Sequence, residues 1–313
     1  MYKKYIKKLI KNIPIDTCEN YQCIDLILDG GSFNGSYLIG ALYFLKEMER
    51  KSILKIDKIS GVSIGSLSAF LYHIDALHII DEIYKKGVYK LKKHTNFNIF
   101  DIFDDIFNKI KPLIKDDICE TMRNRIYITY YNANTCKKIV KSKFKNIDDI
   151  FETIKRSCFI PYVIDGNITW RDKYIDGINP YIFKQTVNKR ILHINLIGYD
   201  KIFNTLSIKN EKSNTHRILH GLLDIHLFFI KKQNTIMCRY IENGDLYYNL
   251  LNMIRCIFEL YIIYSVYFYI ILKKWINSHK EINEIINTTI FKNCLHILSN
   301  FHSKIIKYIF FQL

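Results

Sequence analysis

The sequence predicts an α/β fold with a mostly parallel central sheet, on three observations. A short apolar run, Ile24 to Leu28, ends at the glycine turn Asp29-Gly30-Gly31. A second short strand candidate, Ile56 to Ser60, ends at Gly61-Val62-Ser63-Ile64-Gly65. Each turn leads into residues spaced as one face of a helix, Leu38, Leu42 and Leu45 within Gly35 to Glu49 and then a second stretch through about Ala76. Strand, turn and helix repeated in this order form a βαβ arrangement, whose strands pair in parallel.

The elements around this centre follow from the same patterns. Residues 2 to 13 put Tyr2, Tyr5, Ile6, Leu9, Ile10 and Ile13 on one helical face and five lysines on the other. Such a helix either docks on its own domain, the favoured reading, or anchors at a membrane surface. Residues 77 to 125 read as mainly helical and charged. Tyr127 to Tyr131 and Lys138 to Val140 are expected strands, and Asp148 to Ser157 an expected helix ending near Pro161. Asp165-Gly166-Asn167 signals a hairpin turn between Tyr162–Ile164 and Ile168–Tyr174, and Ile191 to Ile197 reads as another strand. Beyond about residue 200 the pattern is largely helical. The most apolar stretch is 256–272, where Glu259 and six aromatic residues argue for a buried or monotopic helix over a membrane span.

The chain has 313 residues, enough for one large α/β domain with an accessory region. Its formal net charge of +16 favours an anionic partner. No zinc-finger spacing, recognition-helix pattern or compact arginine run is present, so an acidic membrane surface is preferred and nucleic acid is not expected. The eight cysteines contain no C-x-x-C pair and suit no common zinc site, so they read as small buried thiols in a reducing compartment. No apolar run of signal length follows the basic N-terminus.

Three short motifs carry chemistry. Gly61-Val62-Ser63-Ile64-Gly65 has the spacing of a nucleophile elbow, in which a strand turns sharply into a helix with serine at the apex. Flanking glycines keep Cβ atoms out of that turn, and the helix N-terminus favours developing negative charge. Asp29-Gly30-Gly31-Ser32-Phe33-Asn34-Gly35 is a glycine turn able to present backbone N–H groups to an oxyanion or a phosphate. It completes neither common nucleotide-binding pattern. Tyr174-Ile175-Asp176-Gly177 places a carboxylate at the end of an expected strand.

Taken together, these motifs resemble the patatin-like phospholipases: a glycine-rich loop, a G-x-S-x-G elbow, and an Asp-Gly dipeptide more than a hundred residues later. Gly35, Gly61, Gly65 and Gly177 fall at the supporting positions, and Arg156-Ser157-Cys158-Phe159-Ile160-Pro161 looks like the run before the family's aspartate. The resemblance covers about residues 24 to 197. It implies a patatin-like three-layer domain over 21–200, between a basic amphipathic segment at 1–20 and a helical, membrane-associated region at 201–313. It also implies a lipid acyl hydrolase with a Ser63–Asp176 dyad and no metal or organic cofactor. By the same resemblance the amides of Gly30, Gly31, Ser32 and Ile64 form the oxyanion hole.

Three positions depart from the family pattern. Ser32 stands where a third glycine is usual, Asn34 where a basic residue is common, and Ile178 where Gly or Ala is usual. They motivate an alternative, a lipid-binding relative with impaired catalysis. His193, His216, His220 and His226 follow Asp176, so a Ser–Asp–His order is open, though none lies in a motif. His73 and His78 are expected to serve packing. The expected partners are a lipid substrate and an anionic membrane surface, with an intracellular, peripheral location.

Overall fold

A computed structural model of the chain describes residues 2–14, 22–93, 99–186, 189–197, 213–242 and 244–279. Cys18, Cys294 and the expectations for the end of the 201–313 region lie outside these residues.

The centre is a sheet of strands β1 (Gln22–Leu28), β2 (Leu54–Val62), β3 (Ile126–Asn132), β4 (Lys137–Lys141), β6 (Arg190–Ile194) and β7 (Cys238–Tyr240), in the order β4-β3-β2-β1-β6-β7. The inner four, β3-β2-β1-β6, run parallel, and β4 and β7 flank them antiparallel. The expected mostly parallel sheet is therefore present. A short strand β5 (Tyr174–Asp176) pairs antiparallel with Tyr130 to Asn132 of β3, while β2 pairs with Ile126 to Thr129. Thus β5 takes the place beside β3 that β2 vacates on turning away.

Period-two alternation sorts the strands onto two faces. Leu26 and Leu28 of β1 and Leu192 and Ile194 of β6 join the main core, whereas Ile27 and Ile191 form a smaller cluster with Phe183 on the other side. Helices α2 (Gly35–Arg50), α3 (Ile64–His73) and α7 (Ile147–Ser157) contribute to the main core. Helices α4 (Ile79–Lys93), α5 (Ile99–Ile110) and the short α6 (Ile118–Met122) follow α3. Helix α7 starts because the Asn146 side chain accepts the Asp149 N–H, with Asp148 and Asp149 in the first turn.

Helix α1 (Tyr2–Lys11) is docked. Ile6, Ile10 and Ile13 are buried, the five lysines are exposed, and Leu9 O accepts a hydrogen bond from His226. Burying each of these isoleucines contributes about 1.5–3 kcal/mol, enough to hold a short helix on the domain.

Five expectations change. The hairpin strands at Tyr162–Ile164 and Ile168–Lys173 do not form. The turn itself closes, with Asn167 N–H on Asp165 Oδ1 at 2.9 Å and Tyr162 N–H on Asn167 O at 2.8 Å, but Arg171 and Asp172 take positive φ and interrupt any second strand. The strand expected to reach Ile197 stops at Ile194, since Asn195 and Leu196 turn their N–H groups to Met237 O and the Asp29 carboxylate. The packing does not divide at residue 200: β7 extends the sheet, and α8 (Thr215–Lys231) lies against α2. Of the six described cysteines only Cys158 and Cys238 are buried, and Cys256 is exposed. His78 is exposed too, so it serves no packing.

Helix α9 (Leu246–Ser278) contains the 256–272 stretch and is not a core helix. Tyr248, Glu259, Ile263 and Val266 face inward; Ile257, Phe258, Tyr261, Tyr264 and Phe268 on its other faces are exposed. Leu246–Ile276 is long and apolar enough to cross a bilayer, by length and composition alone. Glu259 belongs to the inward stripe, where Lys138 of β4 and Asn179 meet it. Its place inside an apolar run thus has a packing reason.

Candidate active site

The parallel registers set the site. Leu28 pairs with Gly61 and with Ile194, and Val62 pairs with Thr129, so the carboxyl ends of β1, β2, β3 and β6 share one edge. The Asp29–Ser32 turn leaves β1 there and Ser63 leaves β2 there, at the end of a parallel sheet where ligands commonly bind. Thr129 opposes Val62 and the next residue, Tyr130, opposes Asp176, which brings Asp176 beside Ser63.

Ser63 occupies a strained turn, with φ 52° and ψ −128°, directly before the first residue of α3. Two flanking glycines are sterically required. A Cβ on Gly61 would lie 2.5 Å from Gly65 O, and one on Gly65 would lie 2.6 Å from the carbonyl oxygens of Leu28 and Asp29. These contacts are with backbone, which cannot swing aside. The N–H of Ser63 donates to Ser157 Oγ at 2.9 Å, and Ser157 Oγ–H donates to Thr129 O at 2.7 Å. Ser63 O accepts from Ser66 N–H and from the Ser66 hydroxyl. The apex is therefore fixed from both sides while the Ser63 hydroxyl makes no capping bond.

That hydroxyl lies on the side of Asp176, close enough that Ser63 favours the ionised carboxylate. Asp176 is nearly buried, and burial raises its pKa to about 7 against the opposing effects of the Ile178 N–H, at 2.8 Å from Oδ1, and of Ser63. The nearby charge of Glu259 adds to the rise. Such a carboxylate is a far better proton acceptor near neutral pH than an exposed aspartate. The Cys158 thiol also reaches Ser63 and Ser66, and burial pushes its pKa well above the usual thiol value, so it is neutral at that position. Gly177 is held against β3, since a Cβ there would meet Thr129 O at 2.4 Å.

Gly30 abuts the serine: a Cβ on it would lie 3.1 Å from Ser63 Cβ. Gly31 adopts φ 158° and Ser32 φ 46°, leading into a turn of 3-10 helix over Ser32–Asn34. Ile64 begins α3, where the first N–H groups lack intrahelical acceptors. Of the positions expected to supply oxyanion donors, Gly30, Ser32 and Ile64 thus lie by the serine, while Gly31 faces Leu196 and Asn34. Asn34 is buried, and its Oδ1 accepts from Arg217 of α8 at 2.9 Å. A cation from a distant helix thus reaches the loop position that itself lacks one.

His193 is placed elsewhere. Its Nε2 meets Asp29 Oδ1 at 3.0 Å and its Nδ1 meets the Tyr248 hydroxyl at 3.3 Å. His220 packs against Tyr37, and His226 serves α1. A pocket opens beside the serine, lined by Ser63, Ile64, Ile80, Ile83, Phe103 and Ile164 among others, and its wall is largely apolar. Sequence reasoning missed Ser157 and Cys158 as neighbours of Ser63. The Arg156–Pro161 run had marked the segment but given neither residue a contact.

A serine at a strained strand-to-helix turn, at the end of a parallel sheet and beside a buried carboxylate, defines an α/β fold with nucleophile-elbow geometry. Residues 26–178 match the model of the patatin-like phospholipase family. That segment, just under half of the chain, is similar to the patatin-like phospholipases, a family of hydrolases acting on lipid esters. A search of curated proteins found no match to the chain.

Proposed function

We propose that this protein hydrolyses carboxylic esters of lipids, phospholipid or acylglycerol acyl chains, through a Ser63–Asp176 dyad. The observation that carries the reading is the placement of Ser63, at its strained apex, beside a buried Asp176 whose pKa lies near neutrality. Ser63 Oγ attacks the ester carbonyl while its proton passes to Asp176, and the tetrahedral oxyanion rests on the amides of Gly30, Gly31, Ser32 and Ile64. The carbonyl re-forms, the ester C–O bond breaks, and Asp176 returns the proton to the leaving alkoxide. Asp176 then takes a proton from water as the water attacks the acyl-enzyme; the acyl C–Oγ bond breaks, the fatty acid leaves, and Asp176 returns the proton to Ser63 Oγ.

The apolar pocket beside Ser63 suits an acyl chain. The exposed aromatic face of α9, its flanking Lys273 and Lys274, and the +16 charge suit peripheral contact with an anionic membrane. Tyr269 of α9 meets Tyr162, next to the pocket-lining Val163, so that face lies close to the acyl pocket.

The test is hydrolysis of a short p-nitrophenyl acyl ester and of mixed anionic liposomes by wild type, Ser63→Ala and Asp176→Asn. Activity in wild type that disappears in both variants supports the dyad; equal activity in all three removes it. The alternative, lipid binding with impaired turnover, draws on Ser32 and Ile178, both of which sit at positive φ. A fluorophosphonate probe separates the two readings, since only an activated serine labels.

A further inference from the structure

We propose that α9 is a clamp on the active site: Arg255 and Glu259, both outside the patatin-like segment, are positioning residues that hold the Gly30–Ser32 turn and the Asp176 loop at a fixed separation. The proposal rests on the Ser63–Asp176 reading given above.

The two loops arrive at the site from distant parts of the chain, and one guanidinium bonds to both. Arg255 donates through NH2 to Asp29 Oδ1 at 2.8 Å and through Nε to Asn179 Oδ1 at 3.0 Å. Asp29 immediately precedes Gly30 and is fully buried; its carboxylate also meets His193 and accepts the Leu196 N–H. Asn179 lies three residues past Asp176, and its N–H donates to Gly177 O at 2.6 Å. Asn179 Nδ2 returns hydrogen bonds to Arg255 O at 3.2 Å and to Glu259 Oε2 at 2.9 Å. Lys138 from β4 closes the chain of contacts on Glu259 Oε1 at 2.8 Å.

This network has the properties of a structural joint. Its two carboxylates, Asp29 and Glu259, are balanced by Arg255 and Lys138, so burial leaves no uncompensated charge. Burial alone would raise the Asp29 pKa, but the Arg255 guanidinium and His193 hold it well below the usual carboxylate range. Tyr248, Arg255 and Glu259 recur at i, i+7 and i+11, one stripe of a single helix, so the helix meets both loops as one rigid body. The planar fork of arginine can serve two acceptors in different directions, which the point charge of lysine cannot do with the same geometry. Glu259 additionally places its charge where Asp176 feels it, with the Cys158 thiol the other ionisable group facing that carboxylate.

The experiment uses the full chain with Arg255→Lys, which keeps a cation opposite Asp29 so that the fold is retained, and Glu259→Gln, which is isosteric. For Arg255→Lys, kcat on the soluble p-nitrophenyl ester is expected to fall about tenfold or more with KM unchanged. Amide hydrogen exchange is expected to accelerate at both residues 29–32 and residues 176–179. For Glu259→Gln, the acid limb of kcat/KM is expected to move to lower pH, a shift that a purely structural role would not produce. Unchanged exchange at either loop overturns the clamp, as does an unchanged kcat in an active enzyme. If wild type shows no Ser63-dependent turnover, the dyad reading fails instead, and exchange at the two loops still decides whether α9 joins them.

Discussion

The Ser157 hydroxyl ties Ser63 to β3, accepting the Ser63 N–H at 2.9 Å and donating to Thr129 O at 2.7 Å. Ser157→Ala leaves the N–H of a strained residue buried and unpaired. The expected cost is about 1–3 kcal/mol in folding stability, together with a lower kcat, because the apex loses its fixed orientation. Urea denaturation and soluble-ester kinetics on the same preparation check both; a variant equal to wild type in each would remove Ser157 from the scaffold of the elbow.

Asp176 predicts opposite pH trends for activity and stability. As the proton acceptor it must be ionised, so kcat/KM is expected to rise with pH through about 7 and then level. Its folded pKa lies above the unfolded value, so the stability from the neutral form is complete below about 4 and is lost as pH rises through about 7. Asp176→Asn is therefore expected to be inactive yet to melt higher than wild type at pH 8, with the difference narrowing toward pH 4. Paired melting curves across that range test the sign.

Backbone strain at Ser32 and Ile178 gives a third prediction. Both have positive φ, 46° and 58°, and for a β-branched residue such a conformation is an outlier. Ile178 is held there while its N–H binds the Asp176 carboxylate. Ser32→Gly is expected to raise stability by about 0.5–1 kcal/mol with activity retained or increased. Ile178→Gly keeps the N–H but loses side-chain packing, so its activity should persist with little net change in stability. A large loss of turnover in Ser32→Gly would mean that its side chain has a role beyond the turn.

The outward face of α9 predicts a separation between membrane contact and chemistry. Changing Tyr261, Tyr264 and Phe268 together to serine is expected to weaken binding to anionic liposomes, while soluble-ester turnover stays at the wild-type level. Alkaline carbonate is expected to release the protein from membranes, as for a peripheral helix. Retention in the carbonate pellet would favour a span.

Much of the sheet and the serine turn could be read from the chain because local chemistry enforces them. Gly61 and Gly65 are dictated by backbone atoms 2.5 and 2.6 Å from where a Cβ would sit, so the motif exposes the turn directly. Leu26, Ile27 and Leu28 of β1 are all apolar because that strand is covered on both faces of the sheet. By contrast, β5 owes its place to β2 leaving the sheet, and the three-residue strand has no periodicity to detect. Ser157, Asn179 and Arg255 act through partners 94, 76 and 226 residues away, and nothing in their local sequence shows the partner. Glu259 was the one visible trace of that arrangement, a carboxylate whose presence in an apolar helix required a companion.

The span between Asp29 and Arg255 also has a meaning in time. At usual rates of chain elongation, about 5–20 residues per second, roughly 11–45 s separate the synthesis of the two residues. Through that interval the carboxylate at the foot of the glycine turn has no arginine to receive it. The nascent chain can assemble its inner strands well before it can seat that turn, which waits until α9 has been made.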